Sequence, residues 1–71
     1  MHINQKVVVP YVDRYTCIKG YPREFDPPQR VEGFIKERAL FLELRVLVEF
    51  EVNHAPCQVW KYATEVELVG S

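Results

Sequence analysis

The stretch that most constrains the fold is residues 40–52, LFLELRVLVEFEV, where apolar and charged residues alternate. Every even position is apolar, whereas the charged residues all occupy odd positions (Glu43, Arg45, Glu49, Glu51). Because successive side chains of a strand point to opposite faces, the alternation predicts a strand with a buried even face and a solvated odd face. A helix would place Leu40, Leu44 and Leu47 together, but the second half is rich in β-branched and aromatic residues. We therefore favour a strand, most firmly from Leu44 onward.

Size and charge limit the class of protein. A chain of 71 residues predicts one domain, residues 1–71, near the lower size for a self-sufficient core. Such a domain buries only about 60% of its unfolded surface, so a partner, a metal or a disulfide is expected to supplement its stability. The hydrophobic content of 48% argues against a disordered chain, and the net charge of −1 argues against a nucleic acid partner.

Cysteine use and hydropathy bear on the compartment. Cys17 and Cys57 lie far apart and form no C-x-x-C motif, so we expect free thiols. The first residues, MHINQK, are polar, and no apolar run approaches the roughly 20 residues that a membrane span needs. These features predict a cytoplasmic protein without a membrane span.

Strand and loop signals divide the chain into short β elements. Val7, Val8 and Val9 open a strand in which Pro10 predicts a sheet edge or a bulge. Gly33 predicts a bulge or a close backbone approach within a second strand, residues 31–38, and a weakly specified turn is expected around residues 36–39. The remaining predicted elements are a loop at 19–30, a hairpin loop at 53–56, a strand at 58–62, a tight turn at 63–65 and a last strand at 66–69.

This order of elements predicts an all-β fold. Four or five short strands with one tight turn suit a small SH3-like five-stranded barrel that has a one-turn helix before the last strand. A barrel also removes the exposed sheet edges that so small a domain could not otherwise protect.

Several segments together resemble the variable, non-catalytic chain of ferredoxin-thioredoxin reductase. The segments similar to that family are Val7-Val8-Val9, Phe25-Asp26, Glu32-Gly33-Phe34-Ile35, the run RVLVEFE from Arg45 to Glu51, and TEVELV from Thr64 to Val69. Their order and spacing hold over nearly the whole chain. The glycine usual before the first strand is absent, the family's histidine-bearing segment is replaced by residues 15–22, and the link before Leu40 is shorter.

The resemblance implies an SH3-like subunit that binds and stabilises a redox catalytic chain. It implies no cofactor in this chain, because the iron–sulfur cluster and the redox cysteines would belong to the partner chain. The residues we expect at such an interface are Tyr21, Phe25, Phe41, Glu43, Arg45 and Leu47. For Tyr21 and Phe25 the alternative is that they fold back and anchor their loop on the core. Phe41 and Leu47 are apolar residues on the charged face of the central strand, so either the barrel curls over them or they contact another subunit.

Other functions have weaker support in the sequence. An accessory subunit of photosystem I or of the photosynthetic NADH-dehydrogenase-like complex, a stand-alone module for a peptide or nucleic acid, and a homo-oligomer are the alternatives. His54 and Cys57 have the spacing of two metal ligands, but a structural zinc site needs four and only Cys17 and His2 remain. No catalytic residues are predicted: Cys57 lacks an orienting third group, and the carboxylates on the strands suit a solvated face.

Overall fold

The computed structural model describes residues 1–69, so Gly70 and Ser71 of the predicted domain lie outside the described residues. Its strands are β1 (Lys6–Val12), β2 (Cys17–Lys19), β3 (Gln29–Phe41), β4 (Glu43–Val52), β5 (Ala55–Tyr62) and β6 (Glu67–Leu68). Two single turns of 3₁₀-helix, Arg23–Phe25 and Ala63–Glu65, lie before β3 and β6. The prediction of a mostly β fold with a one-turn helix before the last strand is confirmed.

All six strands belong to one antiparallel sheet with the order β2-β5-β4-β3-β1-β6. The strand and turn signals predict a five-stranded fold; the structure has six strands, one of them the three-residue β2, which pairs with β5. Over residues 1–69 no ladder joins the edge strands β2 and β6, so the sheet is open and the closed barrel is not confirmed.

The core lies on one face of this sheet. Phe25 and Val66, which lie outside the strands, cover this core. The rest of it comes from inward-facing residues of the long strands: Val7, Val9, Val12, Val31, Ile35, Val46, Val48, Phe50, Cys57 and Val59. A single sheet encloses such a core only by curving over it, and register shifts of the kind that bend strands interrupt three of its ladders. One lies between Cys17 and Lys19, where β2 pairs with β5, and the other two lie in longer strands. They are register shifts between Val9 and Val12, next to the predicted Pro10, and between Ile35 and Glu37.

Two local predictions hold for clear physical reasons. A Cβ on Gly33 would meet the carbonyl oxygen of Glu49 and would lie 2.9 Å from Cγ1 of Val48, so this glycine permits the close approach of β3 and β4. The hairpin between β4 and β5 turns at Asn53 and His54, with φ values of 52° and 66°. Two successive left-handed residues match the twist of a tight hairpin, and asparagine tolerates that conformation.

The prediction for residues 40–52 is wrong in its first three positions. The chain reverses at Leu42, where φ is 66°, so Leu40 and Phe41 end β3 while β4 begins at Glu43. The turn expected around residues 36–39 is absent, because β3 continues through it to pair Arg38 with Val46 and Leu40 with Leu44. Within residues 40–52 the predicted alternation is limited to β4, and there Leu47 departs from it because it is buried on the odd face.

Candidate functional site

The candidate site is a β-hairpin, here called the arm (residues 36–44), which extends beyond the bulge after Ile35. Within the arm, Leu40 pairs with Leu44 and Phe41 pairs with Glu43. Every residue from Lys36 to Glu43 is exposed, so the arm extends beyond the core. The bulge explains this arrangement, since it ends the register that places Val31, Gly33 and Ile35 in the interior.

The tip of the arm presents three consecutive large apolar side chains to solvent. Leu40 is 78% exposed, Phe41 is 76% exposed and Leu42 is 92% exposed. Single exposed apolar residues are common on proteins, whereas a contiguous apolar group bordered by charges is typical of an interaction surface. The charged border consists of Lys36, Glu37, Arg38, Glu43 and Arg45.

Leu42 also has an unfavourable backbone conformation. A left-handed residue with a large side chain costs about 1 kcal/mol relative to glycine or asparagine, which turns normally use here. The strain occurs at the most exposed large apolar residue of the described chain, where the side chain contributes little to the core. Strained exposed residues of this kind are candidates for function.

The structure divides the predicted interface residues into exposed and buried groups. Phe41, Glu43 and Arg45 are exposed, and all three belong to the arm or adjoin it. Leu47 is 3% exposed. Of the two alternatives for this residue, cover by its own chain or contact with another subunit, the structure therefore has the first. It lies across from Glu37 on β3 and Trp60 on β5, in the middle of three paired strands, where neighbours on both sides exclude water.

Tyr21 and Phe25 form the anchor of the long loop and are not part of the arm. Phe25 is buried, stacks on Phe50 with ring centroids 5.9 Å apart, and meets the edge of Tyr21 at 6.2 Å. The hydroxyl of Tyr21 lies 2.7 Å from the carbonyl oxygen of Phe25 and 2.9 Å from Asp26 Oδ1, two acceptors for its single O–H donor. Phe25 thus anchors the loop on the core, and its ring has little exposed area within this chain.

Arg45 connects the base of the arm to the end of β5. It pairs with Tyr62 across the ladder, and its guanidinium carbon lies 5.1 Å from the centre of the Tyr62 ring. Such a cation–π contact holds the long side chain against the sheet. The two residues line an open cleft of about 330 Å³ together with Thr16, Trp60, Lys61 and Glu65.

Sequence reasoning missed the buried lysine of this region. The Lys61 side chain is only 4% exposed; its ammonium lies 3.8 Å from the carboxylate of Glu65 and 5.6 Å from the centre of the Tyr11 ring. The signal was present in β5, because alternation puts Lys61 on the same face as the buried Cys57 and Val59. Burial of the ammonium requires such partners, since an unpaired charge in the interior is costly.

The cysteines lack the features of reactive thiols. Burial, followed by the charges of Cys57 and Asp13, raises the pKa of the Cys17 thiol from 9.0 to about 11. Burial also raises the pKa of Cys57, whose thiol donates to the carbonyl of Gly20. Both thiols are therefore protonated near neutral pH, and a protonated thiol is a poor nucleophile and a poor metal ligand.

Among residues 1–69 no group of three or more histidine, cysteine, aspartate or glutamate side chains is placed to hold a metal ion. The described part of the chain also contains no helix with the length and apolar character needed to cross a membrane. Comparison of the chain with protein-family models, with curated proteins and with solved structures finds no match. The arm is thus the feature on which a functional proposal can be built.

Proposed function

We propose that this chain is a non-catalytic protein-binding subunit that uses the arm to dock on a partner chain. The observation that carries the proposal is the apolar tip of Leu40, Phe41 and Leu42. Covering exposed apolar surface contributes roughly 25 cal/mol per Å², before the costs of association, so three large side chains on one hairpin can anchor an interface. The charged border would then set the orientation of the partner.

The partner that the sequence favours is a redox catalytic chain of the ferredoxin-thioredoxin reductase type. Support for this identity comes from the resemblance of the strand segments. In this proposal the iron–sulfur cluster and redox cysteines reside in the partner. The chain would contribute burial of the partner's surface and thereby stabilise it.

The proposal is tested by mixing the purified chain with such a catalytic chain and measuring co-elution and the thermal stability of the catalytic chain. Leu40→Glu should abolish co-elution and the gain in stability, because it places a charge in the apolar contact. Ile18→Glu is the matched control, since Ile18 is exposed on β2 at the opposite edge of the sheet. Absence of an effect of the wild-type chain on the catalytic chain would remove the redox partner from the proposal.

A further inference from the structure

The arm has a second property besides its apolar tip, which is an unpaired strand edge. On one side, the outer half of β3 (residues 36–41) pairs with β4. On the other side, the pairing of β3 with β1 and the residues just before it ends at Ile35. The amide of Ile35 donates to the carbonyl of Gln5, and its carbonyl accepts from the amide of Asn4. For residues 36–41 no described residue pairs with this second edge.

An exposed strand edge with apolar residues is a template for another strand. Natural proteins protect such edges with prolines, bulges, charged side chains or very short strands. The other two edges of this sheet follow that rule, because β2 has three residues and β6 has two. The outer half of β3 is longer than either and contains no proline. Its bulge lies at its base, between Ile35 and Glu37, and its charged side chains end at Arg38, so residues 39–41 have no such protection.

We infer that two copies of this chain pair antiparallel through residues 36–41 of β3, so that two sheets become one. The inference concerns the free chain and does not rest on the proposed function. A two-fold symmetric pair requires one residue to lie directly across from its own copy, with the flanking residues exchanged across the axis. Only a few registers satisfy this condition, and the charges distinguish them.

Registers centred on Glu37 or on Arg38 place identical charges directly opposite one another, which destabilises a ladder. Neither side chain has an ion-pair partner within the described chain that could offset the repulsion. The register centred on Ala39 places a small side chain at the axis and opposes Arg38 to Leu40 of the second copy. It also opposes Glu37 to Phe41, and it uses more of the free edge than a register centred on Leu40.

In this register the apolar tip of each copy lies next to the arm of the other copy. Phe41 of each copy lies across from Glu37 of the other, and Leu40 lies against the aliphatic stem of Arg38, which can cover apolar surface while its charged end stays in water. The dimer therefore covers part of the surface that the proposed catalytic partner would use. The two associations would compete for the arm.

Substitution at the axis tests the dimer and its register together. Sedimentation equilibrium of the wild-type chain should show a mass that rises with concentration toward that of two chains. Ala39→Glu and Ala39→Lys should each raise the dimer dissociation constant by on the order of tenfold, because like charges then face each other across the axis. An equimolar mixture of the two variants should restore dimers, since glutamate then faces lysine. Ile18→Glu, on the opposite edge, should leave the association unchanged.

A second measurement guards against variants that fail to fold. Residues directly across an antiparallel pair have Cα atoms about 4.5–5.5 Å apart, which allows a disulfide. Ala39→Cys should therefore form a disulfide-linked dimer under mild oxidation, whereas Glu37→Cys should not. A wild-type chain that stays monomeric at every concentration would overturn the inference. Equal cross-linking by both cysteine variants, or no recovery in the mixture, would overturn the register.

Discussion

Leu47 and Phe41 provide the sharpest test of how the structure assigns two residues that look alike in sequence. Both are large apolar residues at odd positions of the alternating stretch, yet Leu47 is 3% exposed and Phe41 is 76% exposed. Truncating a buried leucine to alanine removes transfer free energy and leaves a cavity, and such changes typically cost about 3 kcal/mol. Truncating an exposed residue changes stability by less than about 0.5 kcal/mol.

Against a total stability of about 3–5 kcal/mol for a domain of this size, Leu47→Ala should remove most of the free energy of unfolding. Urea denaturation followed by tryptophan fluorescence measures the difference. With an m-value of about 1 kcal/mol per M, the midpoint should fall by about 3 M for Leu47→Ala and should hardly move for Phe41→Ala. Both are measured at low concentration, so that dimerisation contributes little.

The opposite ranking would refute the reasoning. If Phe41→Ala destabilised the chain as much as Leu47→Ala, the arm would be packed on the core in solution and could not be a free docking element. If neither substitution mattered, the tight pairing of β4 between β3 and β5 would not be the source of the stability. An unchanged m-value in each variant is needed before the midpoints are compared.

Three further predictions follow from particular contacts. Leu42→Asn should raise the free energy of unfolding by up to about 1 kcal/mol in urea denaturation, because asparagine tolerates the left-handed turn. The same change should weaken association of the arm. A loss of stability would contradict the strain at Leu42. Gly33→Ala should destabilise strongly, since its Cβ would meet backbone atoms of β4; normal folding, judged by circular dichroism, would show that the strands can separate. The alkylation rate of Cys17 should rise with a midpoint near pH 11, following its raised pKa, and not near pH 9.0. Because the folded state favours the protonated thiol, the contribution of Cys17 to stability should be present below pH 9.0 and lost as pH rises toward 11. Replacing the thiol by Cys17→Ala should therefore flatten the pH–stability curve between these two values.

Much of the β architecture follows from local sequence signals. The alternation after Leu44 assigns the faces of β4 because side-chain direction in a strand depends only on position. The hairpin at Asn53 follows from the tolerance of asparagine for positive φ, and the irregularity at Pro10 follows from its missing amide hydrogen. Each of these features depends on the residue itself and its nearest neighbours in the chain.

The candidate site was only partly visible in the sequence. Phe41 and its charged neighbours Glu43 and Arg45 were expected at a surface because an apolar residue interrupts a charged face. Leu40 and Leu42 were assigned to the core by the same alternation and are exposed. Lys61 was overlooked, since its burial depends on Glu65 and Tyr11 being brought beside it from other elements.

The sequence by itself determined that this chain forms short antiparallel strands, and where their apolar faces begin. Only the tertiary structure decided that the chain turns at Leu42, a position without glycine or proline, because the pairing of β3 with β4 sets that register over several residues. It also decided that Leu47 is buried between two neighbouring strands, whereas Phe41 has a strand on one side only and stays exposed. Burial depends on which strands lie alongside a residue, and that information is held in long-range pairing and not in local alternation.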